Sequence, residues 1–259
     1  MLVCGAWVTG CGSGSSPDPA LPAASSNGES SAVAGGEITV FAAASLKKAF
    51  TTLGRRFEQQ NPGSAVRFSF AGSSDLVSQV LEGAPADVLA TADTATMGKA
   101  VDGGVVSGQP VNFASNTLTI VVPPDNPAGI RTLSDLAAAG VAVVVCAPQV
   151  PCGAAAEKVE KSAGITVKPV SEESSVTDVL NKVSSGEADA GLVYVTDAKG
   201  AGATVRAIAT PEAAAVKNTY PVALLAESAR PAVAQHFVAF LTGPQGRQIL
   251  QDVGFAAPN

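Results

Sequence analysis

The sequence predicts an α/β protein of two lobes, and three observations carry that prediction. From Ile38 onward, apolar β-rich runs alternate with helical patterns in β-α-β-α-β order, which implies parallel strands covered by helices. The alternation comes as two sets, separated by an apolar strand at 117–122 that ends in Pro123-Pro124-Asp125-Asn126-Pro127. Stretches near 118–123 and 218–223 read as crossings between the sets. The expected lobes are 37–121 plus 222–259, and 122–221, with a ligand cleft between. Ligands of α/β sheets bind beyond the carboxyl ends of strands, and such a cleft sets several ends face to face.

The elements follow from spacing. Residues 38–43 form the first strand, and Leu46, Ala49, Phe50, Leu53 and Phe57 then mark one face of a helix. Asn61-Pro62-Gly63 stops it. Residues 66–70 are a second strand, Leu76, Val77, Val80 and Leu81 a short helix ending at Gly83, and 87–91 a third strand. In the second set, 141–146 is a strand and 154–163 a helix ending at Gly164. Val176, Val179, Leu180 and Val183 line a helix ending at Gly186, and 190–195 and 205–209 are strands. Residues 220–225 are the last strand. A helix with Val233, Phe237, Phe240 and Leu241 on one face follows, broken by Gly243-Pro244-Gln245-Gly246 before a short helix with Ile249 and Leu250.

Composition bounds the function. Of 259 residues, 46% are hydrophobic and 15% charged, with a formal net charge of −6. Nucleic-acid binders are basic and stack bases on aromatics, which are only 5% here, so nucleic acid is not an expected partner. A small anion remains open, because a pocket of amides is a local field that need not show in the total charge. Residues 1–11 read as a signal and lipobox segment, Val8-Thr9-Gly10-Cys11 placing small residues before a cysteine to be diacylated. Met1 to Gly10 holds no Lys or Arg, whereas a secretory signal needs a basic start and an apolar run of about 7–15 residues, so the start is expected upstream or trimmed. Residues 12–36 are a Ser/Pro/Ala/Gly tract, a flexible tether. Nothing after it is long and apolar enough to span a bilayer. The expected product is an exported lipoprotein, held by Cys11 on the extracytoplasmic side of the cell membrane. Cys4 falls in the removed segment, which leaves Cys146 and Cys152. In an exported protein a disulfide is the first reading. Zinc is disfavoured because the only histidine, His236, is distant in sequence. A redox role is weak because the spacing is not Cys-x-x-Cys.

No Gly-x-Ser-x-Gly, phosphate-loop or dinucleotide fingerprint is present, and a catalytic triad would depend on His236 within a predicted helix. An enzyme is not expected. The informative stretch is Ile38-Thr39-Val40-Phe41-Ala42-Ala43-Ala44-Ser45-Leu46, a buried strand running into a helix with Ser45 as its cap. The first turn of a helix has amides without partners at its positive end. A serine there adds a hydroxyl donor, so an anion can be held without a cationic side chain. The design recurs at Phe70-Ala71-Gly72-Ser73-Ser74, where Gly72 permits close approach or a positive φ. Either serine alone reads as an ordinary cap; the pair reads as a pocket. Cys152-Gly153 begins a third helix and Ser175-Val176-Thr177-Asp178 a fourth, with Ser175 and Asp178 as a capping box. Tyr194, one of two tyrosines, reads either as a phenol donor into the cleft or as a core aromatic.

These residues carry a resemblance. Thr39-Val40-Phe41-Ala42-Ala43-Ala44-Ser45-Leu46, Phe70-Ala71-Gly72-Ser73-Ser74, Gly83-Ala84-Pro85-Ala86-Asp87, Gly191-Leu192-Val193-Tyr194 and the ending Gly254-Phe255 resemble, in order and spacing over 37–256, the periplasmic molybdate-binding (ModA) family that feeds ABC-type molybdate transporters. The resemblance implies a type II periplasmic-binding-protein fold, with molybdate or tungstate held by hydroxyls and amides in a hinged cleft. It implies a membrane permease as partner, no cofactor, and no protein ligand directly on the metal. Carried over, the site is Ser45, Ser73, the amides of Cys152 and Val176, and Tyr194. A Cys pair beside the third helix start is not general in the family, so Cys146–Cys152 is expected as a lineage-specific brace. A donor-only pocket offers nothing to a P–OH proton and so rejects hydrogen phosphate. Sulfate can be excluded only by size, and a sulfate or other tetrahedral-oxyanion receptor is the alternative reading.

Overall fold

Strand β1 (Glu37–Ala43) is apolar from Ile38 onward except for Thr39, and takes an interior place in a sheet because both of its faces are covered. In the computed structural model, which describes residues 9–10 and 35–258, β1 pairs in parallel with β2 (Ala65–Ala71) and β3 (Val88–Ala90). β3 pairs antiparallel with β10 (Asn218–Leu225), and β10 with β4 (Val106–Asn116). The second sheet repeats the scheme. β6 (Val143–Cys146) pairs in parallel with β7 (Ser171–Glu173) and β8 (Ala190–Tyr194), and β5 (Leu118–Val122) pairs antiparallel with β8 and with β9 (Arg206–Ile208). The strand orders are β2-β1-β3-β10-β4 and β7-β6-β8-β5-β9. This is the α/β architecture that the alternating pattern predicts. Cys11 and nearly all of the tether lie outside the described residues.

The first sheet is covered by α1 (Lys47–Gln60), α2 (Ser73–Leu81), α3 (Thr94–Asp102), α7 (Pro231–Thr242) and α8 (Pro244–Val253). The second carries α4 (Pro151–Ala163), α5 (Val176–Ser184) and α6 (Val195–Ala201). The stripe Leu46, Ala49, Phe50, Leu53 and Phe57 is fully buried, as its spacing predicts. Phe50 sits 5.9–6.4 Å, centroid to centroid, from Phe68, Phe113 and Phe237, the heart of the first core. α4 ends at Gly164, whose φ of +67° is left-handed and suits a residue without a Cβ. No helix among the described residues is long and apolar enough to cross a membrane.

Three expectations shift. The crossings fall earlier than 118–123 and 218–223: β5 belongs to the second sheet from Leu118, and β10 to the first from Asn218. Periodicity shows that a strand is buried but not which sheet its hydrogen bonds join. The elements α3, β4, β7 and α6 have weak sequence patterns. β4 is mostly exposed over its first seven residues and contains Gly108 and Pro110, and it is a strand because β10 pairs with it. Ser45 and Ser73, finally, are not caps, with consequences for the site.

Candidate functional site

Four chain segments reach one point between the sheets. The 3-10 turn Ala44–Leu46 follows β1, Gly72 and Ser73 follow β2, Val150–Cys152 opens α4, and Ser175 and Val176 open α5. Together with Ala92 and Tyr194 they line a small cavity. Its free volume is about 10 Å³ for the centre of a water-sized sphere, about the room of one water. Ser45, Ser73, Cys152, Val176 and Tyr194 all line it, and no lining residue is charged. The walls are the positive ends of helices and polar hydrogens, the surroundings that favour an anion.

The two serines are presented differently from the expectation. Ser45 lies inside the 3-10 turn and makes no cap bond, and α2 begins at Ser73 with Gly72 as its cap residue. Ser73 Oγ instead accepts the Ala92 N–H at 3.0 Å, and Ser45 Oγ lies 3.0 Å from the Tyr220 hydroxyl. Both serines are buried. A capping serine points its oxygen at its own helix; here Ser73 Oγ accepts the Ala92 N–H, which leaves its proton free for a cavity ligand, while Ser45 Oγ and the Tyr220 hydroxyl share one hydrogen bond that either can donate. Ser175 does cap α5: its Oγ accepts the Asp178 N–H at 3.3 Å and donates to Asp178 Oδ2 at 2.7 Å. The fourth helix start therefore offers an amide, not a hydroxyl.

Tyr194 is 1% exposed and stands at the end of β8. Its hydroxyl accepts from Asn218 Nδ2 at 2.9 Å, and the same amide nitrogen donates to the carbonyls of Ala92 at 3.1 Å and Pro151 at 3.3 Å. Burial, then the nearby Tyr220, Asp93 and Asp197, push the Tyr194 phenol well above its ordinary pKa; burial and Asp197 do the same for Tyr220. Both phenols stay protonated, so each keeps an O–H that can donate. Asp197, in the first turn of α6, accepts the Tyr194 N–H at 3.2 Å, and burial pushes its pKa up to about 7.

Cys146 and Cys152 form a disulfide, with Cα atoms 5.6 Å apart, that closes the loop into α4. Gly153 completes this corner: a Cβ there would lie 2.0 Å from the Ala147 carbonyl oxygen. No group of three or more potential metal ligands occurs among the described residues. His236 packs against Phe57 at 5.4 Å, away from the cavity. Tyr220, Asn218 and Ala92 were not flagged by the sequence. Tyr220 carried a signal, as the other member of the tyrosine pair; Asn218 and the Ala92 backbone carried none.

The arrangement agrees with what the chain is similar to. Residues 38–256 match the family described as bacterial extracellular solute-binding protein. The molybdate-binding protein ModA of Mycobacterium tuberculosis H37Rv is 50% identical over 258 residues, covering 100% of this chain and 95% of that protein. The periplasmic molybdate-binding protein of Azotobacter vinelandii superimposes with a TM-score of 0.74 at 22% identity, over 86% of this chain and 100% of that one. The sulfate-binding protein SubI of M. tuberculosis gives 0.73 at 21%, over 85% and 86%. With its two-sheet fold, its donor-lined cavity and a full-length relative half identical to it, this chain belongs to the bacterial extracellular solute-binding proteins, among those of the molybdate-binding ModA family.

Proposed function

We infer that the chain captures molybdate, and tungstate with it, outside the cytoplasmic membrane and delivers it to the membrane permease of an ABC importer. As a member of its family it is an extracytoplasmic binding protein and not an enzyme. The carrying observation is the cavity itself, where four helix starts and two cap-free serines converge with no charged side chain. In this reading the ligand's oxygens take the hydroxyls of Ser45 and Ser73, the amides of Cys152 and Val176, and the Tyr194 phenol. A buried dianion carries a large desolvation cost, which many neutral donors offset through charge-assisted hydrogen bonds. The name of the half-identical relative supports the choice of molybdate. The two lobes would act as hinged units around the ligand, and Cys11 would anchor the protein through lipid.

Calorimetric titration with molybdate, tungstate, sulfate and phosphate tests the reading. Molybdate and tungstate should bind with similar affinity, sulfate far more weakly, and phosphate not at all. The likeness to a sulfate-binding protein makes sulfate the second reading. Sulfate binding as tight as molybdate would move the function there.

A further inference from the structure

Gly72 is a glycine without a backbone reason to be one. Its φ of −56° and ψ of 138° suit any L-residue. The reason lies across the cavity: a Cβ on Gly72 would sit 2.1 Å from the carbonyl oxygen of Ser174. Gly72 precedes α2 on the first sheet, whereas Ser174 precedes α5 on the second. Two residues away, Ser74 Oγ donates to the Gln149 carbonyl at 2.8 Å, a second contact from the first sheet's helix to the loop before α4. Both contacts stand at the rim, where Gly72, Val150 and Ser175 line the cavity.

We propose that Gly72 sets how far the cleft closes, its missing side chain being the space that the Ser174 carbonyl occupies when the lobes meet. The proposal rests on reading the cavity as the oxyanion site. A Cβ contact below 3.0 Å essentially does not occur, so a side chain at 72 forces the Ser174 backbone back by about 1 Å, the gap between 2.1 and 3.0 Å. Hydrogen bonds to a shared ligand span only about 2.7–3.2 Å. A shift of that size takes the Val176 amide, two residues from Ser174, out of range of an anion held by Ser45 and Ser73. Gly153 is the contrast. Its obstructing atom, the Ala147 carbonyl oxygen, lies on the same lobe, so a side chain there disturbs folding and not closing.

Gly72→Ser tests this on the full chain, because serine is as good a cap residue as glycine and adds the Cβ. It should melt like the unaltered protein without ligand, bind molybdate at least tenfold more weakly, and lose molybdate-induced compaction in small-angle scattering. Ser74→Ala, which removes a bond and adds no atom, should weaken binding only a few-fold. Gly153→Ala should lower the ligand-free melting temperature. Gly72→Ser that binds and compacts like the unaltered chain overturns this inference and leaves the site reading intact. Gly72→Ser that no longer melts cooperatively without ligand also overturns it, since the contact would then belong to folding. An unaltered chain that binds no molybdate overturns both.

Discussion

The two lobes share one wiring scheme and differ in almost everything placed on it. Each has an interior strand (β1, β6) flanked by two parallel partners, then two antiparallel strands, of which the first (β10, β5) is the one that follows a crossing. Each ties the entry of its central strand with an aspartate. Asp87 accepts the Thr39 N–H at 2.7 Å, and Asp189 the Ala142 N–H at 2.8 Å. Yet all nine phenylalanines lie in the first lobe, and the second, 118–217, has one aromatic residue, Tyr194. The first lobe is held by interlocked rings; the second has a core of Val, Ala and Leu plus a disulfide. The ligand side divides similarly. In the proposed site the first lobe offers the side-chain hydroxyls of Ser45 and Ser73, bonded to Tyr220 and to the Ala92 amide, while the second offers helix amides beside the Ser175 cap and the Cys146–Cys152 loop. The lobe with fewer large contacts has more local bracing at its donors.

The contrast can be broken most forcibly in the aromatic lobe. Phe50→Ala removes a fully buried ring that touches three others, and should cost about 3–5 kcal/mol in urea unfolding. The second lobe should yield to removal of its brace. Replacing Cys146 and Cys152 by alanine should cost about 2–3 kcal/mol. It should also weaken molybdate binding, since the loop it closes leads to the Cys152 amide. A loss of stability with unchanged affinity would show that the amide is positioned by α4 alone.

The donors come next. Ser45→Ala and Ser73→Ala each delete a hydroxyl that the proposed site gives to a dianion, a bond of about 1.5–3 kcal/mol. Each should weaken molybdate about ten- to a hundredfold in calorimetry. Ser175→Ala, by contrast, deletes a hydroxyl already committed to Asp178 and should lower stability more than affinity.

The smallest effect separates two aspartates that follow corresponding strands. Asp93 caps α3 by accepting the Thr96 N–H at 2.8 Å, whereas Asp197, half-buried beside the tyrosines, has its pKa pushed up to about 7. An unfolded aspartate titrates near 3.9. The folded state therefore binds the extra proton between about pH 4 and 7, and this group's contribution to stability falls as pH rises through that window. Asp197→Asn keeps an acceptor for the Tyr194 N–H and should flatten that part of a melting-temperature profile. An unchanged slope would mean that Asp197 is better solvated than its surroundings suggest.

Much of this was legible in the chain because it is local. The stripe from Leu46 to Phe57 marks a helix face, Gly164 and Asn61-Pro62-Gly63 end helices, and Cys146 and Cys152 lie close enough to pair in an exported protein. Short-range sterics and 3.6-residue periodicity decide such features wherever the chain goes. The four helix starts were legible for the same reason. What α3, β4, β7 and α6 lacked was a pattern of their own.

Only the tertiary structure decided which way the donors face. Ser45 and Ser73 read as caps because a serine before a helix usually is one; Tyr220 and the Ala92 amide, 175 and 19 residues away, take those oxygens instead. Gly72 reads as a local permission, and it is the Ser174 carbonyl of the other lobe that requires it. Asn218 joins Ala92, Pro151 and Tyr194 only because the chain returns to the first sheet at that residue. The sequence alone determined the lengths, ends and buried faces of most elements, since those depend on neighbours within a few residues. Sheet membership, the orientation of the two serines and the fit between the lobes depend on partners far along the chain, and no spacing rule records them.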